Sequence, residues 1–156
     1  MIVLVGGAEQ PGAAIVEYLN KANFNDLVIV HDHKDESVLN SLSGNRFTKK
    51  IRYKEISRFL EANQLHVQFM VVVSESGLVD TNEIWDACIK WGIPLIVVSK
   101  EQTGFNKLVK INAKQPFYWS ILHYRNESEE QVPKMVLHLM EHRKESAVHY
   151  LTNLAV

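Results

Sequence analysis

Two rhythms of apolar residues alternate along this chain. Ile2 to Val5, Leu27 to Val30, Phe69 to Val73 and Leu95 to Val98 are short, nearly unbroken apolar runs rich in valine and isoleucine. Such runs predict strands covered on both faces. Between them the apolar residues fall at helical spacing. Pro11 to Ala22 places Ala14, Ile15, Tyr18, Leu19 and Ala22 on one face. Glu55 to Asn63 does the same with Ile56, Phe59 and Leu60, and Asp80 to Trp91 with Ile84, Ala87, Cys88 and Trp91. Pro11 suits a first helical turn, and Gly92 followed by Pro94 suits a helix stop. Lys50 to Tyr53 reads as a short third strand, Gly104 to Asn112 as a further helix and Phe117 to His123 as a sixth strand. Ser128 to Glu145 reads as a last long helix that the tail to Val156 extends, and Ser41 to Asn45 as a loop.

About six strands alternating with helices predict an α/β fold, a doubly wound parallel sheet in three α/β/α layers. The expected organisation is a single Rossmann-like domain over residues 1–156, with no internal repeat, low-complexity stretch or linker. At 156 residues the chain has the length of one domain with a sizeable core.

Charge and cysteine content narrow the setting. The formal net charge of -1 gives no global attraction to nucleic acid or to an anionic membrane. No apolar run approaches the roughly 20 residues of a membrane span. The chain opens on a strand-like run rather than a basic segment followed by an apolar one. Cys88 is the only cysteine, so no intrachain disulfide can form. A cytoplasmic, reducing setting is the expectation.

The chemistry concentrates between the first strand and first helix, in Val5-Gly6-Gly7-Ala8-Glu9-Gln10-Pro11-Gly12. A glycine-rich turn there is where a dinucleotide fingerprint belongs. Gly6, Gly7, Ala8 and Gly12 match without a gap the T-G-G-A-G-F-I-G motif of extended short-chain dehydrogenases. The segment from Met1 to about Asp35 resembles most the ADP-glycero-manno-heptose epimerases, with further matches at Ile15, Val16, Leu19, Asn20, Asn25, Asp26, Val30, Lys34 and Asp35. Trp85 to Ser99 resembles that family's fourth helix and fifth strand. The resemblance implies strand order 3-2-1-4-5-6 and NAD or NADP as the inherited cofactor. The epimerases' substrate-binding domain has no counterpart here.

The departures bear on function. Glu9 stands where the family has the glycine that lets backbone approach the pyrophosphate. A Cβ obstructs that approach, and a carboxylate repels phosphate. Two unit charges at about 4 Å interact by roughly 1 to 4 kcal/mol between bulk water and a surface dielectric. A micromolar affinity totals only about 8 kcal/mol. Pro11 removes one amide from a helix start that would otherwise hold an anion. Glu9 also suits this helix end with no ligand at all, gaining about 0.3 to 1 kcal/mol from the dipole. At the end of the second strand, where the family has an acid for the ribose hydroxyls, His31 stands with Asp32 beside it. A small shift would bring Asp32 into use; a solvated strand end explains His31, Asp32 and His33 equally.

Catalytic residues do not emerge. The family's redox members use a tyrosine with a lysine four positions later. None of Tyr18, Tyr53, Tyr118, Tyr124 and Tyr150 has that lysine. Phe105 and Val109 occupy the corresponding region, and Lys107 and Lys110 have no tyrosine partner there. Ser99 resembles the family's serine but also serves as an ordinary strand-end hydroxyl. His138-Leu139-Met140-Glu141-His142 matches H-x-x-E-H, yet only Glu145 and His149 follow as further ligands, and a Rossmann-like last helix is the wrong host for that protease signature. It is read as coincidence, with incidental zinc uptake left open. Lys49, Lys50, Arg52 and Lys54 fit a protected edge strand. Phe117, Trp119 and Ile121 alternate onto one face as core, Trp85 and Trp91 fit packing onto the sheet or a subunit interface, and Cys88 fits inert core.

The sequence therefore predicts a degenerate, non-catalytic Rossmann module that binds a partner, a second copy of itself, or a nucleotide-like ligand weakly. The candidate cofactor-binding residues are Gly6, Gly7, Glu9, Gly12, Asp32 and Ser74, all at carboxyl ends of strands. No catalytic or metal-ligating set is assigned. The competing expectation is an NAD(P)-dependent epimerase or reductase with an atypical site for a nucleotide sugar.

Overall fold

Strand β1 (Ile2–Val5) lies in the middle of the sheet because every one of its side chains is apolar and buried. It pairs in parallel with β2 (Leu27–His31) on one side and with β4 (Phe69–Val73) on the other. Beyond β2 lies β3 (Lys49–Arg52); beyond β4 come β5 (Leu95–Ser99), β6 (Trp119–His123) and β7 (Ala147–Tyr150). The sheet has seven strands in the order β3-β2-β1-β4-β5-β6-β7, all paired in parallel. This is a computed structural model that describes residues 1–32, 40–73, 81–100, 117–142 and 145–151.

Helices α1 (Gly12–Lys21), α2 (Ile56–Asn63), α3 (Thr81–Trp91) and α4 (Val132–Glu141) divide between the two faces. Strand side chains alternate, so each strand feeds both cores. On one face Ile15, Val16 and Leu19 of α1 and Val132, Val136 and Leu139 of α4 cover Leu4, Ile29, Val71 and Ile96. On the other, Ile56 and Leu60 of α2 and Ile84, Trp85 and Cys88 of α3 cover Val3, Val28, Val72 and Val97. The result is the expected three-layer, Rossmann-like α/β arrangement. Phe117, Trp119 and Ile121 share the second core as the alternation predicts. Burial pushes the Cys88 thiol far above its ordinary range, so it packs as a hydrophobe.

Both long crossover helices end as their sequences dictate. After α1, Asn23 takes a left-handed conformation (φ 67°), Phe24 N–H donates to the Leu19 carbonyl at 2.9 Å and Asn23 N–H to Asn20 at 2.9 Å. After α3, Gly92 (φ 64°) does the same, with Ile93 N–H on the Cys88 carbonyl at 2.9 Å. These are paired Schellman closures, which satisfy carbonyls left over at a helix end. Glycine or asparagine is favoured at each because a Cβ is strained at positive φ.

The chain's last part corrects the expected pattern. The predicted helix from Ser128 to Glu145 begins instead as a 3-10 turn over Asn126–Gln131, continues as α4 and stops at Glu141. The tail then returns to the sheet as a seventh strand. Ser146 fixes that return, accepting from Trp119 N–H at 3.0 Å and donating to the Phe117 carbonyl at 3.2 Å. Buried Ser128 donates to Leu151 O at 3.2 Å, and Leu151 N–H donates to His123 O at 2.8 Å. Strand pairing of the otherwise open β6 edge outweighs helix propensity here. The predicted helix over Gly104 to Asn112 lies outside the described residues. The predicted loop Ser41 to Asn45 opens in a 3-10 turn over residues 40–42, from which Leu42 drops into the first core, and continues as a turn.

Stability should fall from the sheet's centre to its edge. Leu4 is fully buried, whereas Val148 in β7 is half-buried. Leu4→Ala should cost about 2 to 5 kcal/mol and Val148→Ala under about 1 kcal/mol in urea denaturation at unchanged m. Equal losses would contradict this gradient.

Candidate functional site

Parallel strands bring all their carboxyl ends to one edge, and order reverses between β1 and β4. Doubly wound sheets bind ligands at that reversal. The glycine turn after β1 sits there. Gly6 has φ 83°, and a Cβ on it would stand 3.0 Å from the Val73 carbonyl oxygen at the end of β4. A Cβ on Gly7 would meet the Ile29 side chain at 3.3 Å. Gly12 is the tightest of the three, because a Cβ there would run into the Gly6 carbonyl oxygen. The first turn of α1 thus lies directly on the turn that leaves β1.

The intervening residues fold back over the helix start. Ala13 N–H donates to the Glu9 carbonyl at 3.0 Å and Ile15 N–H to the Pro11 carbonyl at 3.0 Å. Ala14 N–H donates to the Gln10 side-chain Oε1 at 3.3 Å. Pro11 is buried and has no N–H to offer. The Gln10 side chain thus closes part of the first turn, a role that the sequence did not suggest for it. The Glu9 and Gln10 side chains stand at the surface of the turn, and Ala8 is buried beneath it. Ser41 donates to the Ala8 carbonyl at 2.6 Å and fastens the turn to the chain preceding β3.

The remaining candidates divide. His31 ends β2, half-buried and in register with Arg52, and Asp32 follows it, exposed. Ser74 lies outside the described residues, as do Phe105, Lys107, Val109 and Lys110. Lys49 and Lys50 are exposed on β3, which is an edge strand, and Lys49 Nζ lies 5.8 Å over the Phe59 ring. This is the solvated edge that the basic cluster suggested.

Ser99 is buried at the end of β5 and pairs in register with His123, which pairs in turn with Tyr150. The His123 and Tyr150 rings stack at 5.1 Å. Residue alternation sets all three on the face shared with Val97 and Ile121. Sequence reasoning found Ser99 but missed the row, because Tyr150 was assigned to a helical tail. The alternation Ala147-Val148-His149-Tyr150 was the available signal.

In the H-x-x-E-H segment, His138 and His142 line one cleft with Glu145 and His149, whereas Glu141 lines another beside Ile2 and Phe24. The glutamate that would serve a metalloprotease as general base thus borders a different cavity from the histidines. Among the described residues no three His, Cys, Asp or Glu side chains form a group that could hold a metal ion, and no helix is long and apolar enough to cross a membrane.

The class is defined by fold: a Rossmann-like α/β protein of the kind seen in short-chain dehydrogenases. Neither a protein-family model nor a curated protein sequence matches the chain. Solved structures do. Serine dehydrogenase from Escherichia coli is similar at TM-score 0.67 and 11% identity, over 97% of each chain. A short-chain dehydrogenase/reductase from Veillonella parvula, solved with NADP, is similar at TM-score 0.64 and 12% identity, over 94% of this chain and 91% of that one. UDP-glucose 4-epimerase from Thermotoga maritima, solved with UDP-glucose, is similar at TM-score 0.54 and 14% identity, over 79% of this chain and 54% of that one. The likeness reaches both short-chain dehydrogenases and an epimerase of the extended type, and what is shared is the fold.

Because the α1 start rests on backbone, Gly12→Ala cannot be relieved by turning a side chain. It should cost about 3 kcal/mol or more in urea denaturation. A loss under about 0.5 kcal/mol would show that the turn is not packed this way.

Proposed function

We propose that this chain is a degenerate Rossmann module, related to the NAD-dependent nucleotide-sugar epimerases, that acts by binding rather than by hydride transfer. The observation that carries this reading is the self-closed phosphate turn. The Ala14 N–H is held by Gln10, Pro11 supplies no N–H, and Glu9 sets a carboxylate at the surface where a pyrophosphate would lie. Anion binding at a helix start requires free amides and tolerates negative charge poorly. The sequence resemblance favours descent from the ADP-glycero-manno-heptose epimerase branch, with residues 1–156 as one Rossmann-like unit in a cytoplasmic setting. A protein partner or a second copy of the chain is the expected ligand, and NAD or NADP an inherited one held weakly. Of the site residues, Gly6, Gly7 and Gly12 keep the turn's shape, and Glu9 opposes phosphate with its charge. Asp32 and Ser74 remain proposed contacts for any nucleotide-like ligand.

A second reading has one observation in its favour. Ser99 keeps the family's strand-end serine position and stands in register with His123. On this reading an NAD(P)-dependent epimerase or reductase for a nucleotide sugar uses a proton donor other than the missing tyrosine.

Thermal denaturation with NAD, NADP, their reduced forms and an ADP-sugar separates the two. A ligand at 100 times its dissociation constant stabilises a fold by about 2.7 kcal/mol, which raises Tm by roughly 5 to 10 °C at this size. The module reading predicts no shift at millimolar cofactor and no turnover of reduced cofactor with nucleotide sugars. A shift of that size together with turnover would replace it by the enzyme reading.

A further inference from the structure

The two edges of the sheet are guarded differently. β3 closes one edge with Lys49-Lys50-Ile51-Arg52, a strand dominated by cations. Charge on an edge strand opposes pairing with a further strand. β7 closes the other edge with Ala147-Val148-His149-Tyr150, which holds no Lys, Arg, Asp or Glu. Its Tyr150 side chain is 60% exposed. Only alternate peptide groups of β7 are used by β6. Leu151 N–H donates to the His123 carbonyl at 2.8 Å, and His123 is in register with Tyr150. In a parallel ladder the direction of the peptide groups alternates residue by residue. The N–H and C=O of His149 therefore face β6. Those of Val148 and Tyr150 face outward and have no partner among the described residues.

We infer that β7 is the edge by which this chain takes a second copy of itself, pairing antiparallel with the partner's β7 about a twofold axis at His149 and joining two sheets into one. The inference rests on the module reading above and names the surface that the second copy occupies. With the axis at His149, Val148 lies opposite the partner's Tyr150 and Tyr150 opposite the partner's Val148. Both are hydrogen-bonded pairs, so the outward N–H and C=O groups of both strands are satisfied. Each pair also sets an aromatic ring beside a β-branched side chain, a favourable cross-strand combination. An axis at Val148 would instead oppose Tyr150 to Ser146, which lies outside the strand and is engaged with Trp119 and Phe117. A second copy is favoured over a foreign strand because the match is self-complementary and brings no fixed charges together. The same operation at β3 would set cation against cation. Ala147 and His149 also border an open cleft of about 520 Å³ beside α4, lined by Tyr118 and Met135, so the edge offers apolar surface next to its backbone groups.

Sedimentation velocity over a concentration series is the first test, and the native chain should be a dimer that dissociates on dilution. Val148→Pro deletes an outward N–H and leaves the β6 ladder whole, because proline is tolerated on an edge strand. It should weaken dimerisation at least roughly tenfold, since the twofold axis removes the bond twice. His149→Cys reads the register without depending on that variant's fold. Residues facing across a non-hydrogen-bonded antiparallel pair have Cα atoms about 4.5 Å apart, within the span of a disulfide. Cys88 is buried and does not compete. Under mild oxidation His149→Cys should give a covalent dimer, and Ala147→Cys, displaced from the axis, should not. A native chain that is monomeric at every concentration, a dimer that folded Val148→Pro leaves unchanged, or equal crosslinking by the two cysteine variants would each overturn the pairing. Thermal denaturation with cofactors tests the module reading separately. A cofactor shift in a chain that dimerises through β7 removes that reading and keeps the pairing; a monomer with no cofactor shift does the reverse.

Discussion

The contact on which the rest depends is that of Gly12 with the Gly6 carbonyl. Helix α1 must begin almost on top of the turn leaving β1, because only then do Ile15, Val16 and Leu19 reach Leu4 and Ile29. With α1 fixed there, α4 packs beside it and completes one face, and β2 returns parallel to β1. A glycine at position 12 is thus demanded by packing alone, and Gly7 by its closeness to Ile29. Retention of these glycines says that the architecture has been kept. It does not by itself say that a cofactor is held.

The proposed module reading rests on that separation of packing from binding. Shape is fixed by Gly6, Gly7 and Gly12, whereas affinity for phosphate comes from amides and charge. Glu9, Gln10 and Pro11 alter only the second group. Gln10 supplies within the chain the kind of hydrogen bond that a phosphate oxygen would supply, and each such bond is worth about 0.5 to 1.5 kcal/mol net. The turn is therefore stable without a ligand, held further by Ser41 on the Ala8 carbonyl.

The central sheet was legible in the sequence because strands buried on both faces must be continuously apolar, as Ile2 to Val5 and Phe69 to Val73 are. Helix ends were legible where the residue type carries the geometry, as at Gly92. The seventh strand was not, since Ala147 to Tyr150 is short, at most half-buried, and follows a helix whose apolar spacing runs on toward Glu145. Its place is set by β6, a partner distant in sequence. The same non-local pairing hid two further features, the row from Ser99 through His123 to Tyr150 and the place of His149 in the cleft that His138 also lines. The turn's glycines were legible by motif. The role of Gln10 was not, because a side chain that caps four residues ahead leaves no pattern of its own.

The most direct measurement of the central claim is calorimetric titration of NAD and NADP into the native chain and into Glu9→Gly/Gln10→Phe/Pro11→Ile, which restores the family's turn. If closure resides in these three residues, the restored chain binds at least one cofactor with a dissociation constant at or below about 1 mM, equivalent to about 4 kcal/mol, and the native chain gives no heat of binding. Equal binding by both, or silence from the restored chain while its fold is intact, would contradict the claim that the turn closes the site.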